Sequence, residues 1–109
     1  MIRIKNTLIT MTRGDTLRAK INITDAKGDK YVPVEGDRIR FAVKKCYNDK
    51  TPCILKDIPY DTCQLFLAPE DTKDLEQPYK YVYDIQITLN DGTVDTFISG
   101  RLFLEEEVD

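Results

Sequence analysis

The chain has 109 residues, 41% of them hydrophobic and 32% charged, so we expect one globular domain, residues 1–109, with its own core. The net charge is −3 and no basic block stands out, which argues against nucleic acid as a partner. No apolar run reaches the length of a membrane span, and residues 1–5 lack the apolar stretch of a signal peptide. We therefore expect no membrane partner and synthesis in the cytoplasm.

The sequence lacks the histidine that the common Ser and Cys hydrolytic mechanisms use as a base. The sequence has no His, and Ser99 is its only Ser, so neither a Ser-His-Asp triad nor a Cys–His pair can be built. Three Cys without His make a poor zinc site, and the odd number favours thiols, although Cys46 and Cys53 could meet across a hairpin. We expect a protein that is not an enzyme and that has no catalytic, cofactor-binding or metal-binding residues and no small-molecule substrate.

Alternating apolar and polar residues predict strands in the first half of the chain. Residues 7–11 form a weak candidate, whereas residues 16–24 alternate clearly. Turn residues at 25–29 close that strand, and residues 33–37 predict a loop. Residues 38–44 form a second clear strand, followed by a turn at residues 47–52.

The second half continues with strands and one helical candidate. Residues 53–58 predict a weak strand and residues 63–67 another. Residues 69–75 predict a helix of two turns, because Pro69 suits its first position and acidic residues follow. Residues 79–89 form the longest strand, Asn90-Asp91-Gly92 predicts a hairpin, and residues 94–104 return with a bulge or bend at Gly100.

About seven strands and one short helical turn predict an all-β fold, which we interpret as an immunoglobulin-like β-sandwich. The stretch from Leu67 to Thr72, followed by a Tyr-rich strand, looks like the corner of immunoglobulin domains where a helical turn precedes a corner tyrosine. The Cys…Trp…Cys core signature of those domains is absent, since the chain has no Trp. The similarity therefore concerns architecture.

Two short motifs are candidate sites in other proteins. Arg13-Gly14-Asp15 matches the integrin-binding tripeptide, but Gly14 lies between two predicted strands, where a glycine lets the chain pass from one sheet to the other. Asn22-Ile23-Thr24 matches a glycosylation sequon, but it lies within a predicted strand. We interpret both motifs as structural.

Aromatic and acidic residues give two further candidates. Tyr79, Tyr81 and Tyr83 could form a stacking platform, but they share a face with Ile85 and Ile87, which favours the core. Two acidic sets lack the spacing of a calcium loop and are interpreted as solvated turns. These sets are Glu70, Asp71 and Asp74, and Asp25, Asp29 and Asp37.

Several motifs follow one another along the chain, beginning with Arg13-Gly14-Asp15-Thr16 and the Gly-containing turn at residues 25–29. Their order resembles the immunoglobulin-like N-terminal domain of baseplate upper proteins from phages of Gram-positive bacteria, and related small phage and prophage structural proteins. The most specific part of the resemblance is the Pro-Glu-Asp-Thr corner at residues 69–72 with Tyr81-Val82-Tyr83-Asp84-Ile85. Tyr79 departs from the pattern, where Gly is expected, and residues 46–63 contain no feature of the family.

The resemblance implies a non-enzymatic virion structural protein, assembled in the bacterial cytoplasm, that acts as an adaptor in a tail, baseplate or fibre. Its expected partners are other virion proteins, with a homo-oligomer possible. Receptor binding and trimerisation belong to other regions of the baseplate proteins and are not carried over. Two alternatives stay open. One is a sugar-binding or adhesive module on the host surface, which needs Tyr47 or Tyr79 exposed in a concave patch; the other is a phage-encoded protein that binds a host protein.

Overall fold

The computed structural model describes residues 3–5, 8–23 and 29–106. These residues form eight strands and one short helix, which confirms the predicted all-β fold. The elements are β1 (Arg3–Lys5), β2 (Leu8–Thr12), β3 (Leu17–Lys20), β4 (Arg38–Lys44), β5 (Ile54–Ile58), β6 (Gln64–Leu67), α1 (Pro69–Thr72), β7 (Tyr79–Thr88) and β8 (Val94–Glu105).

The strands form two sheets that face each other. The larger sheet has the order β1-β2-β8-β7-β4-β5, and β3 pairs with β6 in the smaller one. Strand β2 runs parallel to β8, and every other pair is antiparallel. Strands β8, β7, β4 and β5 opposite β3 and β6 follow the order of strands G, F, C and C′ opposite B and E in immunoglobulin sandwiches. The architecture is sandwich-like, as the alternation of residues predicts.

The core lies between the two sheets and consists of the inward-facing residues of both. Phe41 of β4 packs against Tyr83 of β7, with ring centroids 5.5 Å apart. Burial of these large side chains is the main favourable term in holding the two sheets together. The fully buried large side chains are Tyr81, Phe41, Met11, Leu17, Ile39, Leu65, Leu67, Ile85, Leu102 and Leu104.

Several boundaries differ from the sequence prediction. Strand β1 was not predicted, because only three residues, two of them cationic, form it. Strand β3 ends at Lys20 rather than at residue 24, although Ile21 still donates its backbone N–H to the Cys63 carbonyl at 2.8 Å. Helix α1 has four residues and one turn instead of two. Short elements such as these depend on tertiary contacts more than on their own sequence pattern.

The prediction of a bulge or bend at Gly100 is wrong. Gly100 pairs regularly with Tyr83, and the register shifts where Ile85 pairs with Ile98 but Gln86 pairs with Thr96. The extra residue therefore lies between Thr96 and Ile98. One additional residue reverses which side chains face the core, because side chains alternate along a strand.

The predicted corner before the Tyr-rich strand is confirmed in its geometry. Helix α1 precedes β7, and the Tyr81 hydroxyl donates a hydrogen bond of 2.8 Å to the Glu76 backbone carbonyl. This bond from a tyrosine near the start of the strand to backbone a few residues upstream is the tyrosine corner of immunoglobulin-like sandwiches. It fixes the loop that carries the chain from one sheet to the other.

The loop before β4 and the hairpin between β7 and β8 are joined at one end of the sandwich. The buried Asp37 carboxylate accepts hydrogen bonds from the Tyr31 hydroxyl at 2.6 Å, the Val34 N–H at 3.0 Å and the Asn90 N–H at 3.2 Å. The side-chain amide of Asn90 in turn donates to the Glu35 backbone carbonyl at 3.0 Å. These bonds give both loops a defined position relative to the sheet.

Candidate docking face

The face of the larger sheet that points away from the core is the most distinctive surface of the molecule, and we call it the outer face. Its residues alternate with core residues along β2, β4, β5, β7 and β8. Among the charged side chains on these strands that point outward, five are cationic and three are acidic. They are Arg38, Arg40, Lys44, Lys80 and Arg101, with Asp57, Asp84 and Glu105. The outer face is therefore positive in a chain whose net charge is −3.

A shallow depression of about 150 Å³ lies on the outer face. Ala42 and Val82 line it and are only 5% and 4% exposed, although they point away from the core. Tyr47, on the loop after β4, is 66% exposed and lines the depression, with its ring 5.9 Å from the Arg101 guanidinium. The depression thus combines an apolar lining with an exposed aromatic side chain.

The polar groups of the depression include the partly exposed carboxylate of Asp84. Arg40 donates a hydrogen bond of 2.8 Å to the Gln86 side-chain oxygen, and its guanidinium lies 3.7 Å from Asp84 Oδ1. That oxygen is buried and accepts no hydrogen bond from the described residues. An atom without solvent access is also closed to a ligand, so an N–H or O–H group of a ligand reaches this carboxylate at its exposed part, since the side chain is 37% exposed. Lys44 and Ser99 also line the depression.

The β5 edge of the larger sheet is less open to a partner. Lys56 points toward the inner side of β5, and its ammonium lies 2.9 Å from Asp71 Oδ1 of α1. A charged side chain that points inward from an edge strand opposes the addition of another strand. Leu55, on the outer side of β5, is 56% exposed and extends the apolar part of the outer face.

The tripeptide Arg13-Gly14-Asp15 lies at the corner between β2 and β3, as interpreted from the sequence. Gly14 has a φ of 86°, which side chains with a Cβ rarely adopt, and its N–H donates to the Thr72 hydroxyl at 2.8 Å. The three residues are partly buried, whereas an integrin ligand needs an exposed loop tip. The motif has a structural role in this fold.

The structure also shows where the sequon residues and the three candidate tyrosines lie. In the sequon, Asn22 is exposed and Ile23 is buried, while Thr24 lies outside the described residues. Tyr81 and Tyr83 are buried in the core, as their alternation predicts, and they form no stacking platform. Tyr79 is partly buried, and its ring centroid lies 4.7 Å from that of Tyr81.

The acidic candidates have local structural roles or lie in exposed turns. The Asp71 carboxylate accepts a 2.7 Å bond from the Ala68 N–H, so it caps the start of α1 and also pairs with Lys56. Glu70, Asp74 and Asp29 are exposed, and Asp25 lies outside the described residues. Among the described residues no three His, Cys, Asp or Glu side chains are placed to hold a metal ion.

All three cysteines are free thiols. Cys46 donates to Asp49 Oδ1 at 3.3 Å, Cys53 to the Val43 carbonyl at 3.3 Å, and Cys63 to the Tyr60 carbonyl at 3.5 Å. Partial burial raises the pKa of the Cys53 thiol, which lowers the fraction present as the nucleophilic thiolate. The possible pair Cys46 and Cys53 is therefore separate in this structure.

Comparisons with protein-family models, with curated proteins and with solved structures found no match to this chain. The resemblance to phage baseplate proteins therefore depends on the sequence motifs alone. Among the described residues, no helix has the length and apolar character that crossing a membrane requires.

Sequence reasoning did not identify the outer face as a site. It named Tyr47 only as a condition for sugar binding, and it found no basic block in the sequence. The signal was present in the alternation of cationic residues with core residues along β4, but the strands that lie beside β4 had to be known.

Proposed function

We propose that this chain is a non-enzymatic structural protein of a phage or prophage virion, an adaptor that docks onto another component of a tail, baseplate or fibre. The order of the motifs from Arg13 to Ile85 supports the virion assignment, and the outer face supports the docking role. The single observation that carries the docking role is a positive sheet face with exposed Tyr47 and Leu55 in an acidic chain. Interfaces concentrate aromatic and arginine side chains in this way.

The outer face suits docking because regular strands carry it. Central strands β4 and β7 pair with neighbours on both sides, so their outward side chains have fixed spacing. The Tyr81 corner and the Asp37 bonds hold the flanking loops in place. Because the outer face is preorganised, it loses little conformational entropy when a partner binds.

Fractionation of phage particles tests this function. Particles induced from the bacterium that encodes the chain are separated on a density gradient, and the chain is quantified by mass spectrometry against a known tail protein. We expect the chain to migrate with intact tails in a fixed ratio. Particles that form normally while the chain stays in the soluble fraction would refute the adaptor role.

A sugar-binding or adhesive module is the second candidate, and one observation favours it. Tyr47 is exposed beside a depression that also presents Asp84, Lys44 and Ser99. Aromatic rings stack against sugar rings while nearby polar groups bond the hydroxyls. Titration of the labelled chain with host cell-wall oligosaccharides, followed by NMR, tests this candidate. It predicts shifts at Ser99 and Asp84 that Tyr47→Ala abolishes, and unchanged spectra would exclude it.

A further inference from the structure

We infer that the partner of the outer face is an acidic protein surface that places a hydrogen-bond donor at Asp84, a statement that rests on the proposed docking function. Three features of the outer face define this partner: its charge, the partly exposed carboxylate of Asp84, and the exposed apolar side chains beside it. Each feature excludes a different kind of partner.

The charge of the outer face selects an acidic partner. The outward-facing charged side chains of its strands, other than those of β1, sum to +2, in a chain that totals −3. Arg101 and Lys80 are exposed on neighbouring strands β8 and β7. Acidic side chains of a partner increase the rate of encounter and gain the charge-assisted bonds that arginine forms with carboxylates.

The Asp84 carboxylate selects the group that the partner places in the depression. Asp84 Oδ1 is buried, lies 3.7 Å from the Arg40 guanidinium and is closed to a partner. The Asp84 side chain is nevertheless 37% exposed and lines the depression, so a partner group reaches its other carboxylate oxygen. A cationic partner group at this oxygen would meet Lys44, which lines the same depression, so a neutral donor fits best. The hydroxyl of Ser, Thr or Tyr and the amide of Asn or Gln are such donors.

The exposed apolar side chains show that the partner is a protein surface with apolar area. Tyr47 and Leu55 are 66% and 56% exposed on the outer face and its flanking loop. A protein partner covers them with its own apolar side chains and excludes water from the charged contacts around them. A second copy of the same face fits poorly, since it would bring two positive surfaces together.

Site-specific photo-cross-linking in assembling particles tests the inference. A benzophenone amino acid replaces Tyr47 in the full chain, which is expressed while particles assemble, and cross-linked peptides are identified by mass spectrometry. The matched control carries the same group at Phe66, an exposed aromatic residue on the opposite sheet. We expect the Tyr47 position to cross-link to an Asp- and Glu-rich segment of another virion protein that carries Ser, Thr, Tyr, Asn or Gln, and the Phe66 position not to do so.

Charge-reversal variants test the inference quantitatively, through the amount of chain incorporated into particles. The double variant Lys80→Glu and Arg101→Glu should reduce incorporation into particles by about tenfold or more, because acidic partner groups then meet acidic groups. The control is Arg18→Glu with Lys20→Glu on β3, which also alters one exposed lysine and one arginine that lies over an aromatic ring, here Phe66. This control should be incorporated like the parent chain. Reversing the acidic residues of the cross-linked segment to Lys should restore incorporation of the outer-face variant.

The outcomes separate the inference from the proposed function. If the parent chain enters particles but Tyr47 cross-links to a basic segment, to nucleic acid, to a second copy of this chain or to nothing, the inferred partner is wrong and the adaptor role stands. Equal incorporation of the outer-face variant and the parent chain would also overturn the inference. If the parent chain itself never enters particles, the proposed function fails.

Discussion

Gly14 donates its backbone N–H to the hydroxyl of Thr72, 58 residues later in the sequence, at 2.8 Å. Thr72 is 0% exposed, so the bond lies inside the corner where β2 turns into β3 and α1 packs beside it. Gly14 has a positive φ of 86° at this corner, a conformation that side chains with a Cβ rarely adopt. An apparent adhesion motif is thereby explained as a contact that joins two distant parts of the chain.

Replacing Thr72 tests this contact. Thr72→Val keeps the shape but removes the acceptor, so it should destabilise the fold by about 1–2 kcal/mol. Hydrogen exchange of the Gly14 amide, followed by NMR, should accelerate in Thr72→Val relative to neighbouring amides. Thr72→Ser keeps the hydroxyl and serves as the control. Equal protection of the Gly14 amide in both variants would show that the bond is not formed in solution.

Tyr81→Phe should destabilise the fold by about 1 kcal/mol, because the hydroxyl that bonds the Glu76 carbonyl is lost while the buried ring is kept. Tyr79→Phe is the matched control, since the Tyr79 hydroxyl makes a longer, exposed bond of 3.4 Å to the Lys45 carbonyl. Urea unfolding of both variants measures the difference in stability. An equal effect of the two substitutions would argue against a stabilising tyrosine corner.

Asp37 should make the stability of the fold depend on pH in the acidic range. The hydrogen bonds from the Tyr31 hydroxyl and then the Val34 N–H hold the pKa of Asp37 below its ordinary value. Its contribution to stability is therefore present above the unfolded pKa of about 3.9 and is lost as the pH falls through the lower folded pKa. Urea unfolding from about pH 6 to about pH 3 measures the free energy of unfolding of the parent chain and of Asp37→Asn. The difference between the two should narrow below about pH 4. A difference that does not change with pH would contradict this.

The hydrogen bond between Tyr31 and Asp37 is also the main reason why the pKa of Tyr31 lies above its ordinary value. The contribution of the Tyr31 hydroxyl to stability is complete below the unfolded pKa of about 10 and is lost as the pH rises through the folded pKa. Tyr31→Phe should therefore flatten the alkaline part of the stability profile, measured by urea unfolding from about pH 8 to about pH 11. The acidic limb should become shallower as well, because Tyr31 donates the bond that most lowers the pKa of Asp37 and only Val34 and Asn90 still donate to it in this variant.

Gly36 and Gly92 offer a paired test of the joined loops. Both have positive φ, 99° and 91°, so an Ala at either position carries a backbone penalty of about 1–2 kcal/mol. A Cβ at Gly36 would also lie 1.6 Å from Asn90 Oδ1, whereas a Cβ at Gly92 meets nothing within 4 Å. Gly36→Ala should therefore cost more stability than Gly92→Ala in urea unfolding. Equal losses would mean that Asn90 does not pack against the Gly36 loop.

Alternation of apolar and polar residues was sufficient to predict most strands and their buried sides. The β4 residues Ile39, Phe41 and Val43 point inward as predicted, and the Asn90-Asp91-Gly92 turn joins β7 to β8. The alternation could not predict strand order, because pairing of β2 with β8 joins the two ends of the chain. It also could not place the extra residue of β8, since a one-residue shift is defined only against the partner strand.

The candidate site was less predictable for the same reason. Ala42, Val82 and Ser99 lie on three different strands, and only the order β8-β7-β4 brings them together. The position of Tyr47 over β8, near Arg101, depends on the path of the loop after β4. In contrast, the Pro69 to Thr72 corner was predictable because its residues are adjacent in the sequence.

The most direct test of the central claim is the amount of chain in purified particles, measured by mass spectrometry for three forms in parallel. These are the parent chain, the outer-face variant Lys80→Glu with Arg101→Glu, and the control Arg18→Glu with Lys20→Glu. The adaptor account predicts a fixed ratio to a tail protein for the parent and the control, and a loss of about tenfold or more for the outer-face variant. Absence of the parent chain from intact particles would contradict the account.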